Sequence, residues 1–174
     1  MEFIKQKINN LYLIKLESFK DVRGNFKRLF CQKEFKKHNI INKILQINLS
    51  FNKTKNTLRG LHYQKGIYAE EKIIRCMKGK VFFIALDIDK KSPTYLKHKQ
   101  FILKENDNKI LYIGKKFATG FLTMQDSTEI LYFMSNFYKS SSSFGFKYDD
   151  PKLKIKWPSK PKVISSKDSN FKFI

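Results

Sequence analysis

The sequence predicts an all-β domain, a sandwich or barrel of short antiparallel strands, and three observations predict it. The periodic stretches are short and rich in β-branched and aromatic residues, they follow one another at near-regular spacing without long helical patterns between them, and Gly, Asn, Asp and Pro punctuate the gaps. Among such folds the jelly roll leaves a roomy interior lined by side chains, so a site is expected inside the barrel. The chain has 174 residues, 41% apolar and 15% aromatic, which is about one domain's length and enough to bury a core. No repeat or linker divides it, and one domain spanning residues 1–174 is expected.

The elements follow in order. Residues 11–16 (LYLIKL) and 44–49 (ILQINL) alternate with the period-2 pattern of half-buried strands, and residues 26–30 between them form a further strand candidate. A short helix is expected over 33–38. Strands are then predicted at 57–63, 72–77, 81–87, 98–103, 109–113, 118–123 and 129–135, with Lys78-Gly79 as a tight hairpin and Asn106-Asp107-Asn108 as another turn, which makes the chain an antiparallel meander. Asp149-Asp150-Pro151 and Trp157-Pro158 mark a less regular C-terminal third. Within 58–64, alternation puts Arg59, Leu61 and Tyr63 on one face and Leu58, Gly60, His62 and Gln64 on the other, unless a bulge at Gly60 resets the register.

Composition excludes several classes. The longest apolar run, 81–86, is far too short to span a bilayer, and the N-terminus carries no secretory pattern, so a cytoplasmic protein without membrane association is expected. Cys31 and Cys76 lie in no paired or metal-like spacing and read as reduced structural thiols. The formal charge of +21 attracts anions, but the lysines are spread through nearly every segment and no nucleic-acid-binding signature accompanies them. No nucleic-acid partner is therefore expected.

Of three histidines, His38 lies among Lys36, Lys37 and Asn39, and His98 between Lys97 and Lys99, so both read as solvated. His62 alone has strand context. A metal centre on such a barrel would gather two or three imidazoles and a carboxylate, commonly through a His-x-His pair, yet Tyr63 and Gln64 follow His62. We read His62 as a catalytic base rather than a metal ligand or a satisfied core histidine. Arg59 stands just before it and Arg23 lies in the turn Asp21-Val22-Arg23-Gly24; arginine forks match phosphate oxygens, which points to a phosphorylated substrate beside a base.

The run Asp21-x-Arg23-Gly24-x-Phe26, then Gln46-x-Asn48-x-Ser50, Leu58-Arg59-Gly60-Leu61-His62-Tyr63-Gln64 and Lys72, resembles the dTDP-4-dehydrorhamnose 3,5-epimerase family of nucleotide-sugar enzymes. The likeness continues through Gly79, Asp87, Phe117-Ala118-x-Gly120-Phe121, Leu131-Tyr132, Tyr138, Asp149-Asp150-Pro151 and Trp157-Pro158 to Lys167-Asp168, nearly the whole chain. It implies a cupin-type jelly-roll barrel with a few short peripheral helices, a homodimer, no metal and no organic cofactor. The implied reaction inverts C3, C5 or both of a nucleotide-diphospho-4-keto sugar, by removing a proton on one face and returning one on the other, for surface polysaccharide synthesis. By the same likeness His62 is the base, Asp168 the carboxylate orienting it, Lys72 the cation near the developing enolate and Tyr132 the acid. Arg23 and Arg59 match contacts to diphosphate and sugar, Gln46 and Asn48 the polar substrate shell, and Phe26 and Tyr138 pocket aromatics.

Two departures bear on the substrate. Relatives commonly carry His where this chain has Thr119, which can donate a hydrogen bond to a ketone or enolate oxygen but cannot carry charge. Many also carry Pro after the residue matching Tyr138 and a Glu near the nucleotide base a few positions on, where this chain has Lys139 followed by Ser140 to Ser143. A GDP carrier or a heptose thus stands beside the dTDP-linked hexose. A 3,4-ketoisomerase of the same barrel type and a non-enzymatic basic module for nucleic acid or anionic glycan are the competing readings; the second leaves the ordered motif unexplained.

Overall fold

The computed structural model describes residues 1–40 and 43–174. Six strands form one antiparallel sheet in the spatial order β1 (Glu2–Lys5), β2 (Leu11–Lys15), β10 (Lys109–Ile113), β7 (Lys72–Lys78), β12 (Thr128–Met134) and β5 (Gln46–Asn52). Five form the second, in the order β13 (Ser143–Gly145), β6 (Leu58–Gln64), β11 (Phe117–Thr123), β8 (Lys80–Asp87) and β9 (His98–Lys104). A separate hairpin pairs β3 (Ser18–Asp21) with β4 (Gly24–Lys27), and two short helices are peripheral, α1 (Gln32–Lys37) and α2 (Ser166–Ser169). The all-β jelly-roll barrel expected from the sequence is the fold.

The connectivity departs from a simple meander. From β5 onward the chain crosses between sheets at nearly every step, and β8 and β9 are its one consecutive pair of hydrogen-bonded neighbours. Lys78-Gly79 is accordingly a corner between the sheets, not a hairpin. Gly79 takes φ +78°, and a Cβ there would lie 2.5 Å from Thr128 Oγ1, so the corner is both left-handed and tightly packed, which only glycine permits. The Asn106 region does turn, with the Asp107 N–H donating to the Lys104 carbonyl at 3.1 Å, and it too joins one sheet to the other.

Three apolar layers hold the barrel. Between the sheets, Ile74, Leu111 and Ile130 of one meet Phe83, Leu103 and Phe121 of the other. The outer face of the six-stranded sheet is covered by Phe35 of α1 and Ile40 against Ile14, Ile73, Tyr112 and Phe133. The outer face of the five-stranded sheet is covered by the C-terminal segment, with Leu153 and Trp157 over Leu61, Phe82, Ile84 and Leu86. Central strands are thus buried on both faces, which is why 81–86 reads as an unbroken apolar run. Each such fully buried side chain contributes roughly 1.5–3 kcal/mol, so the irregular C-terminal third is part of the stabilising structure.

Boundaries shift where strands are short or two-sided. β5 starts two residues later and ends three residues later than the expected 44–49, β4 ends at Lys27 instead of residue 30, and β1, β3, β13 and α2 carry too few residues for a periodic signal. Cys76 is buried, which pushes its thiol up to about 12, and neither cysteine forms a disulfide among the described residues. No helix among the described residues is long and apolar enough to cross a membrane.

Candidate active site

The site begins with an irregularity in β6. His62 pairs with Thr119 of β11, and Arg59 with Phe121, so two residues, Gly60 and Leu61, stand opposite the single Gly120. This is a β-bulge. Gly60 has φ +131°, and a Cβ on it would lie 2.4 Å from Gly120 Cα, so two glycines let the strands touch. Regular alternation would send Arg59 and His62 to opposite faces. With the bulge both line one cavity of about 610 Å³, while Leu61, fully buried, packs outward against Phe82 and Ile84.

His62 is held from the C-terminal segment. Its Nε2 lies 2.7 Å from Asp168 Oδ1, and the other oxygen of that carboxylate accepts the Gly60 N–H at 3.0 Å. Ser165 caps α2 by accepting the Asp168 N–H at 3.1 Å, which fixes the helix that carries the carboxylate. Asp168 is 3% exposed. Burial alone would raise its carboxyl, but the hydrogen bond and charge of His62, with the contacts from Gly60 and Ser165, outweigh burial and hold it below the ordinary carboxylate range. Asp168 therefore stays ionised beside the imidazole.

The opposite wall comes from the six-stranded sheet. Tyr132 of β12 and Asn48 of β5 are register partners, and both line the cavity. Burial raises the Tyr132 phenol against the opposing charge of Arg59, so it remains a protonated donor at neutral pH. Lys72, at the start of β7, donates to Thr119 Oγ1 at 3.1 Å and pairs with Glu70 at 3.2 Å. Arg59 is aimed by Asn52, whose side-chain oxygen accepts from Nε at 2.8 Å. At the mouth stand Tyr138, Ser143 and Lys167, with Lys167 Nζ 3.4 Å from Ser143 Oγ.

The cavity thus gathers His62, Asp168, Lys72, Tyr132, Arg59, Asn48, Thr119 and Tyr138. Gln46 is not among the lining residues; its side-chain oxygen accepts the Tyr138 backbone N–H. Arg23 and Phe26 lie elsewhere, on the exposed β3–β4 hairpin, where Arg23 is paired with Asp21 and Phe26 is 66% exposed. Glu70, Gln64, Asn52 and Ser165 belong to the site and were not among the expected residues. Of these Gln64 stood in the 58–64 run on the face shared with His62, and Ser165 had a local sign, a Ser before a short polar turn; Glu70 beside Glu71 reads as ordinary surface charge. His38 is exposed and stacks on Phe3 at 4.0 Å, whereas His98 is partly buried. Among the described residues no group of three or more His, Cys, Asp or Glu side chains could hold a metal ion.

The family model for dTDP-4-dehydrorhamnose 3,5-epimerase matches residues 5–174. A Shigella flexneri protein of that name is 36% identical over 171 residues, covering 98% of this chain and 94% of its own. The crystal structure of the Bacillus anthracis dTDP-4-dehydrorhamnose 3,5-epimerase with TDP and pyrophosphate superposes with a TM-score of 0.96 at 28% identity, over 99% of both chains. A Legionella pneumophila dTDP-6-deoxy-D-glucose-3,5-epimerase in complex with dTDP-4-keto-L-rhamnose gives 0.93 at 32% identity, over 99% of this chain and 92% of its own.

Proposed function

The chain belongs to the dTDP-4-dehydrorhamnose 3,5-epimerase family, and on that premise we propose how this isomerase works: His62 deprotonates, and Tyr132 reprotonates, carbons beside the ketone of a dTDP-linked 4-keto-6-deoxy sugar. One observation carries the reading. His62, held by Asp168 of α2, projects from the five-stranded wall and Tyr132 from the six-stranded wall of the same cavity, which is the arrangement that inversion through a planar intermediate needs. The Legionella relative is in complex with a dTDP-linked 4-keto hexose, which supports that substrate over a GDP-linked heptose.

His62 takes the proton from the carbon, the C–H electron pair becomes a C=C bond and the ketone π pair moves to oxygen, giving an enolate. Asp168 stabilises the imidazolium. Tyr132 then gives its proton to the opposite face of the carbon, the ketone re-forms, and solvent exchange returns the base and the phenol to their starting states. Arg59 neutralises charge on the diphosphate.

The test is incubation with dTDP-4-keto-6-deoxy-D-glucose in D2O, followed by NMR. Deuterium at C3, C5 or both with inverted configuration is expected. No exchange at either carbon sinks the reading, and a product with its carbonyl moved to C3 replaces it with a ketoisomerase.

A homodimer belongs to the same reading. Strand β5 is an edge strand with Asn48 and Ser50 facing the cavity and Ile47, Leu49 and Phe51 turned outward at 60%, 60% and 54% exposure. The hairpin adds exposed Phe19, Val22 and Phe26. Apolar surface this concentrated supports burial against a second copy, and Arg23 and Phe26, remote from their own cavity, would then contact substrate in the partner's. Residues 1–174 act as one domain in this scheme, in the cytoplasm where nucleotide sugars are made.

A further inference from the structure

The cavity holds a buried acid that the reaction above does not use. Glu70 is 7% exposed, and each of its oxygens has a partner: Oε1 the Lys72 ammonium at 3.2 Å, Oε2 the Gln64 side-chain amide at 2.9 Å. Gln64 cannot turn away. Its carbonyl oxygen accepts the Lys139 backbone N–H at 2.7 Å, and the two hydrogens of its NH2 are shared between Glu70 and the carbonyls of Tyr68 at 3.0 Å and Phe137 at 3.1 Å. A chain of hydrogen bonds therefore runs from the segment bearing Tyr138, through Gln64 and Glu70, to Lys72.

Lys72 is equally constrained. Its three donors face Glu70, the Thr119 hydroxyl at 3.1 Å and, at the limit of distance, the His62 carbonyl at 3.5 Å. Turning to a substrate oxygen would break one of these contacts. Thr119, however, accepts from Lys72, so its own hydroxyl hydrogen is left for the cavity it lines, directly across the ladder from His62. A hydroxyl that accepts from an ammonium is polarised and donates more strongly.

Building on the proposed epimerase reaction, we infer that Glu70 is a positioning residue that holds Lys72 against Thr119, so that the Thr119 hydroxyl is the donor to the enolate oxygen. The stabilisation is delivered by an oriented hydrogen bond backed by a charge, where a histidine would deliver charge and donor in one ring. Glu70 supplies the fixed end of that arrangement. Without it a buried ammonium keeps only one good partner and is free to leave Thr119.

The experiment compares deuterium exchange into dTDP-4-keto-6-deoxy-D-glucose by the whole protein and four variants, with kcat and KM separated and dTDP binding measured alongside. Removing an oxyanion donor costs about 100- to 1000-fold in kcat, so Thr119→Val should lose about 100-fold with KM near that of the wild type, and Thr119→Ser should restore kcat to within a few-fold. Glu70→Gln should lose about tenfold or more in kcat with dTDP binding unchanged, because one of its two contacts then sets donor against donor. Glu70→Gln combined with Thr119→Val should fall no further than Thr119→Val alone, since both act on one hydrogen bond. Wild-type kcat in Glu70→Gln, or multiplied losses in the double variant, would overturn the inference while leaving the epimerase reading intact. If Glu70→Gln fails to bind dTDP, the Thr119 pair decides, and undiminished kcat in Thr119→Val overturns it. A wild-type protein that exchanges nothing overturns the epimerase reading and this inference together.

Discussion

At the scale of single residues, the proposed chemistry rests on two groups held in opposite states. Asp168 is kept ionised by His62 and by the Gly60 N–H, and Tyr132 is kept protonated by burial. In the proposed reaction a base with a fixed counterion faces an acid that burial keeps protonated. His62→Asn should reduce exchange at both carbons by at least about 100-fold, the usual worth of a general base. Tyr132→Phe should impair inversion more than the first proton loss, visible as deuterium returned with retained configuration. Asp168 also links the site to stability. Its folded pKa lies below the unfolded value, so its contribution is present above the ordinary carboxylate range and is lost as pH falls through the folded value. Asp168→Asn should therefore lower Tm at pH 7, and the gap to wild type should close as pH drops below about 4. A gap that stayed constant down to pH 2 would show that the carboxylate's charge is not what stabilises.

At the scale of elements, the decisive feature is the bulge in β6. Leu58 to Gln64 was legible as a strand and His62 as its reactive residue, while Arg59 falls on the far side by regular alternation and on His62's side only through the bulge at Gly60. Gly60 marks where a bulge could reset the register, but what makes the bulge form is a contact with Gly120, sixty residues on, which the local pattern does not carry. The same reason hides Glu70: an acid two residues before a lysine reads as a surface pair until β11 folds over it. Asp168 lies on a four-residue helix, too short for any periodicity, and was legible only through the family likeness. The central strands, in contrast, could be read directly because covering both of their faces makes them continuously apolar. Gly60→Ala tests the bulge. A methyl group 2.4 Å from Gly120 Cα at a positive φ should cost about 2–5 kcal/mol in denaturant unfolding, from overpacking and backbone strain together. Any folded fraction should be poorly active, because restored alternation would turn Arg59 from His62; a Gly60→Ala protein with wild-type stability and kcat would refute the role of the bulge.

At the scale of the molecule, charge and the proposed assembly would act on the same ligand. The +21 charge is spread over the chain rather than gathered into an arm, so it raises the local concentration of any small anion without selecting one. For a nucleotide diphospho-sugar this should appear in kcat/KM, which ought to fall as salt rises from 0.05 to about 0.5 M while kcat holds, since screening weakens encounter and not chemistry. Assembly makes the sharper prediction. Arg23 and Phe26 match substrate contacts but sit on a hairpin outside their own cavity, beside an apolar edge strand. If that hairpin serves the partner's cavity, Arg23→Ala and His62→Asn each disable every site in their own homodimers. In a heterodimer of the two, one cavity has both defects and the other has an intact His62 and an intact Arg23. Unfolding and refolding an equal mixture yields half heterodimers with one working site each, so about a quarter of wild-type activity should return from two nearly inactive proteins. Recovery in the mixture but not in either protein refolded alone would establish a shared site, and no recovery, with dimers demonstrated by light scattering, would confine each active site to its own chain.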